Sequence, residues 1–206
     1  AQKALDRAES AVMALGEEAV RRGFVPFDRI IEETLEMLEE HPGTALTGVP
    51  SGFVDYDRLT HGLGKGTLII GGRPGMGKTS LALNIASHVA IREKKTVGIF
   101  SLEMGQQELA LRILCAEADV FFSRIRSGHL SQQQWVKVVQ KMAEIGKAPM
   151  FIDDSAAPTL LEVASKARRL KAEKGLEVLV VDYLQLMQAG GRFENRNLEI
   201  SAITRS

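Results

Sequence analysis

Gly72, Gly77, Lys78 and Thr79 stand at the spacing G-x-x-x-x-G-K-[ST] within the stretch IIGGRPGMGKTS. An apolar, strand-like run precedes the glycines and a helical pattern follows them, the context in which this spacing has chemical meaning. Glycines let the backbone take positive φ and turn successive N–H groups inward, making a nest for phosphate oxygens at the positive end of a helix. The cradle is read as Gly72, Arg73, Pro74, Gly75, Met76, Gly77, Lys78, Thr79 and Ser80. A triphosphate would use all of it: amides on the middle phosphates, the Lys78 ammonium across the β and γ oxygens, the Thr79 hydroxyl on a Mg2+ ion. A bare glycine turn ahead of a structural helix is the plainer alternative.

Such a cation wants a carboxylate from the C-terminal end of a neighbouring strand. VLVVDY ends in Asp182 after an apolar run, and MFIDDS offers Asp153 and Asp154 after a shorter one. Asp182 is preferred, because a long β-branched run marks a central strand buried on both faces. Asp153 is then a strand-end carboxylate that satisfies nearby loop amides. Hydrolysis also needs a group that polarises water near the γ-phosphate. Glu103, in SLEM just past the strand TVGIFS, is the candidate base; its alternative is a surface glutamate favoured by the dipole of the helix that follows.

These residues need a scaffold in which strands end at one edge. Strands are expected at Thr67–Gly71, TVGIFS, PMFID and EVLVVD, with helices over about Lys78–Arg92, Gln106–Ala118, a run beginning at Ser131 and a run from Thr159 to Lys174. Ser131 with Gln134, and Thr159 with Glu162, have capping-box spacing. This alternation predicts an α/β fold, a mostly parallel sheet with helices on both faces. Ahead of it, residues 4–22 carry a narrow apolar stripe, and a second helix is expected from about Pro26 to Glu40. HPG at 41–43 stops that helix, so residues 1–43 read as an appendage and 44–206 as the core, with 44–66 as irregular turns.

Bulk composition narrows the function classes. The 206 residues are 45% apolar and 25% charged, the balance of an ordinary globular protein. Lys plus Arg equals Asp plus Glu at 26 each, so any polyanion site must be local. The single cysteine, Cys115, excludes an intramolecular disulfide and reads as a buried bystander. No membrane span or signal peptide is expected, which points to a cytoplasmic setting. His61, His88 and His129 show no ligand spacing, and Trp135 and the methionines are read as helix core. The basic run ARRLKAEK is read as a solvated helix face.

Taken in order, TGVPSGFVDYDRLTHGLGKGTLIIGGRPGMGKT, IFSLEM, RIRSGHL, FIDD, VVDYLQLM and ENRNLEISAITRS resemble the bacterial replicative DNA helicases of the DnaB family, within the RecA-like ATPases. The likeness runs from about residue 1 to the end. It implies an ATP-dependent helicase that moves on single-stranded DNA as a homohexameric ring, with Lys78, Glu103 and Asp182 in catalysis and ATP and Mg2+ as cofactors. Glu103 then corresponds to the family's catalytic carboxylate and Asp182 to its Walker B aspartate. The first helix resembles the linker helix that docks on the next subunit. The stretch QAGGRFENR follows the Walker B strand where the family carries a channel loop, so Arg192, Glu194 and Arg196 are expected at the DNA, the arginines following phosphates.

The family continues beyond Ser206 with further strands, a γ-phosphate sensor and basic residues that reach the neighbour's site. The core is therefore expected to be truncated, and primase and helicase-loader contacts to belong to a longer parent, nucleoid-associated in a bacterium. Two readings compete: another RecA-like ATPase of recombinase type, and a nucleotide-gated module that binds ATP only to fix ring assembly.

Overall fold

A computed structural model of the chain describes residues 25–40 and 48–187. They fall in two units that divide between Ala45 and Leu46. In the first, α1 (Phe27–Glu40) follows Pro26, which is pre-set for a helix start, and has Asp28 in its first turn. Phe27, Ile30, Ile31 and Leu35 along it are exposed. The helix expected at 4–22 lies outside the described residues.

The second unit is built on a three-stranded parallel sheet in the order β2-β1-β3, with β1 at Thr96–Ser101, β2 at Met150–Asp153 and β3 at Leu176–Asp182. All six residues of β1 are buried, as the middle strand of a covered sheet requires. Strand periodicity divides its side chains between two cores. Val97 and Ile99 join Val89, Ala90 and Ile91 on one face, together with Val178 and Val180 of β3. Phe100 faces the other way, towards Val163 and Val181. Gly98 points to that second face, where an added Cβ would come 3.1 Å from the Leu170 and Leu179 side chains. A helix packs closely there because position 98 is bare.

Helices cover both faces, in chain order α2 (Val54–Thr60), α3 (Lys78–Ser87), α4 (Gln106–Ala118), α5 (Phe122–Arg126), α6 (Gln132–Ile145) and α7 (Leu160–Lys174). Both expected capping boxes are present, Ser131 with Gln134 on α6 and Thr159 with Glu162 on α7. Backbone and hydroxyl hydrogen bonds from Thr159 hold the Glu162 carboxyl below its usual pKa. Arg92 fastens three helices: just past α3, it donates to Glu117 of α4 at 2.9 Å and to Glu144 of α6 at 3.0 Å. No helix among the described residues is long and apolar enough to cross a membrane.

Five expectations change. The strand ending in Asp182, expected to be central and buried on both faces, is β3, which among the described residues flanks β1 with Leu179 38% exposed; the middle strand is β1. Thr67–Gly71 is not a strand: no ladder pairs with it, and Leu68 and Ile69 are 49% and 73% exposed. An apolar run becomes a strand only when a neighbour takes its hydrogen bonds, and among the described residues no backbone group bonds to this one. The helix after the glycine loop ends as α-helix at Ser87 and finishes in a π-turn, His88–Arg92. The stretch before that loop is more ordered than irregular turns. It contains α2, closed by a Val49–Leu63 bridge and by the buried Asp57 carboxylate, which accepts from Ser51 N at 2.9 Å and Gly52 N at 3.2 Å. Trp135 and Met142, assigned to a helix core, are each 54% exposed. On α6 it is Val138 that points inward, and Trp135, Val139 and Met142 follow one another at helical spacing on the outer side.

Candidate phosphate-binding site

The loop between the extended stretch 67–71 and α3 has the backbone that its glycines foreshadow. Gly75 sits at φ 76° and Gly77 at φ 88°, in the left-handed region that side-chain-bearing residues rarely adopt. Gly77 is the N-cap of α3, and its carbonyl accepts from Leu81 N at 2.9 Å. The first turn of α3 leaves N–H groups without helical partners at the positive end of the dipole. Residues 71–77 and Ser80 are exposed, so this backbone is open to an incoming anion.

Lys78 reaches back across the loop, its Nζ donating to the Gly72 carbonyl at 3.0 Å and the Arg73 carbonyl at 3.3 Å. Its neighbour Thr79 donates through Oγ1 to Asp182 Oδ2 at 2.7 Å. Hydroxyl and carboxylate oxygens converging in this way are the hard donors that Mg2+ prefers, with phosphates and water completing its shell.

Asp153 is placed elsewhere. It ends β2, on the opposite side of β1 from β3, and its register partner is Phe100. Lys166 Nζ donates to its Oδ2 at 2.6 Å and Ser155 N to its Oδ1 at 2.9 Å. Partial burial opposes ionisation, but the bonds from Lys166 and Ser155 outweigh it and hold the Asp153 carboxyl below the ordinary aspartate range. Asp154 accepts from Gln106 N at 3.2 Å, at the start of α4.

Glu103 lies in the turn between β1 and α4. In the ladder Ser101 is the register partner of Asp182, and Leu102 N donates to the Asp182 carbonyl at 2.8 Å. The backbone leading to Glu103 is thus bonded to the residue whose side chain meets Thr79. Glu103 itself is exposed, and among the described residues nothing hydrogen-bonds its carboxylate. Motif reading passed over Ser101, whose side chain bonds within this turn; a hydroxyl closing the buried strand directly ahead of Glu103 was the one signal for it. Arg192, Glu194 and Arg196 lie outside the described residues. His88 packs on Gly52 and stands 3.5 Å from Glu93, and Cys115 is buried with its thiol pKa raised by that burial.

Residues 48–206 match the family model of the DnaB-like helicase C-terminal domain. The chain is 43% identical over 206 residues to the replicative DNA helicase DnaB of Nostoc sp., across 98% of this chain and 23% of that protein. With the replicative DNA helicase DnaB of Geobacillus stearothermophilus it shares 41% over 207 residues, across 98% of this chain and 45% of the relative. It therefore spans less than half the length of either. Among solved structures, an ATPase domain superposes with a TM-score of 0.81 at 30% identity, covering 89% of this chain and 66% of that one. A DnaB-like replicative helicase, studied for its interactions with primase, superposes with a TM-score of 0.79 at 28% identity, covering 99% and 53%.

Proposed function

The chain belongs to the DnaB-like helicases, matching their C-terminal domain over residues 48–206, and from that premise we propose that it is the ATP-hydrolysing motor of a replicative DNA helicase. The observation that carries this reading is the 2.7 Å contact of Thr79 with Asp182, in a strand whose register partner leads into Glu103. ATP lays its phosphates on the backbone N–H groups of the loop Gly72–Ser80, to which Pro74 contributes no donor. Lys78, held here by two neutral carbonyls, exchanges them for β and γ oxygens, a charge-assisted bond about twice as strong as a neutral one. Thr79 and Asp182 hold Mg2+, which supplies neutralisation of the phosphate charge. Glu103, free of other partners, orients the attacking water and takes its proton as ADP leaves.

The wider assignments follow from the same family reading. The whole protein works as a homohexameric ring through its N-terminal linker helices, residues 1–43, and drives along single-stranded DNA contacted by Arg192, Glu194 and Arg196. Exposed apolar residues on α1 and α6 are surface of the kind that assembly covers. Primase and a helicase loader are its partners, and its setting is the bacterial cytoplasm, at the nucleoid. The family match favours this over a recombinase-type ATPase.

The test is ATP turnover by the whole protein carrying this sequence, with and without single-stranded DNA, beside unwinding of a forked duplex. Stimulation with unwinding supports the motor. Binding of ATP with neither would leave a nucleotide-gated assembly module.

A further inference from the structure

The turn Ser101-Leu102-Glu103-Met104 divides its side chains by packing. Leu102 packs against the core of Phe100, Val163 and Met187, and Met104 against the core of Val97, Ile99 and Leu109. Glu103, between them, is left outside. With nothing bonded to its carboxylate among the described residues, its position depends on the backbone of the turn. That backbone is held on one side by Leu102 N to the Asp182 carbonyl, at 2.8 Å. On the other side the Ser101 hydroxyl donates to the Met104 carbonyl at 2.6 Å, across Glu103. Ser101 is 3% exposed, so no solvent competes for that bond. The hydroxyl and the Asp182 contact together close a clamp around the residue that must meet water.

We propose that Ser101 is a positioning residue for hydrolysis: its bond to the Met104 carbonyl sets the turn that aims Glu103, so that it governs the chemical step and leaves nucleotide affinity alone. The inference rests on Glu103 being the base. A buried hydroxyl that merely satisfied a carbonyl would, on removal, lower stability without singling out kcat. A base displaced by a fraction of an ångström loses rate, up to about a hundredfold for a full ångström.

The experiment compares Ser101→Ala, Ser101→Thr, Glu103→Gln and the double variant Ser101→Ala with Glu103→Gln in the whole protein, reading kcat and KM for ATP, nucleotide binding and Tm. Ser101→Ala is expected to lower kcat about tenfold with KM and nucleotide binding unmoved, and to lower Tm modestly through the lost buried bond. Ser101→Thr, which keeps the hydroxyl, is expected to recover most of that loss. In the Glu103→Gln background Ser101→Ala is expected to cost nothing further, because the group it positions is gone. An unchanged kcat in Ser101→Ala, an equal loss of nucleotide affinity, or the same loss with Glu103 absent would each overturn the proposal. Should Ser101→Thr misfold, the double variant decides alone. Full turnover in Glu103→Gln would instead remove the base assignment itself, an outcome separate from any result at Ser101.

Discussion

Thr79 donates its hydroxyl to the carboxylate of Asp182 at 2.7 Å, although the two residues stand 103 positions apart in the chain. One opens α3 and the other closes β3, and no ladder joins the extended stretch before the glycine loop to that strand. The contact is therefore made by packing of α3 on β3. It brings a hydroxyl and a carboxylate to the open end of the phosphate cradle.

Asp182→Asn keeps the shape of the side chain and removes its charge, so metal affinity should fall while nucleotide binding without metal persists. A Mg2+ titration of ATP turnover should shift to higher concentration, by about 10- to 100-fold if the loss matches that usual around metal sites. The same half-saturation point in wild type and variant would refute the assignment.

Lys78 and Glu103 should separate binding from chemistry. Lys78→Ala removes the fixed positive charge over the loop, and turnover should drop by at least about a hundredfold. Glu103→Gln should bind ATP normally and lose about 10²- to 10⁴-fold in rate. Equilibrium binding of a fluorescent ATP analogue, set beside single-turnover hydrolysis, distinguishes the two.

If Arg192 and Arg196 each neutralise one phosphate of single-stranded DNA, replacing both with alanine should reduce the slope of log affinity against log salt by about 1.4. Binding titrations from low to moderate salt would read this. A slope equal to wild type would clear that loop of the role.

Asp153 should show a pH signature unrelated to turnover. Against partial burial, its carboxyl is held below the ordinary range by Lys166 and Ser155, so the stability it contributes is present above the unfolded pKa, about 3.9, and is lost as pH falls through the lower folded value. Asp153→Asn should therefore lower Tm at pH 7, with the difference closing on acidification below about pH 3.9. Its Mg2+ titration should match wild type. A gap in Tm that persisted in acid would assign the loss to packing and not to charge.

Local structure was legible because its causes are local. The bounds of α4, both capping boxes and the three ladder strands follow from side chains within a few positions of one another, and so does the positive φ that Gly75 and Gly77 supply. What failed was what depends on distant neighbours. Thr67–Gly71 has the composition of a strand but no hydrogen-bonded partner among the described residues. Trp135 has helical spacing, yet the face of α6 turned to the core is the one carrying Val138.

Sequence by itself determined the chemistry available: a glycine loop that can cradle anions, one lysine and one threonine at its helical end, and four carboxylates at strand ends, Glu103, Asp153, Asp154 and Asp182. Tertiary structure decided which carboxylate Thr79 meets. β2 and β3 flank β1 on opposite sides, so Asp153 is carried towards Lys166 and Asp182 towards Thr79. Strand order is settled by which apolar faces pack together over the whole sheet, a long-range choice that no short window of residues contains.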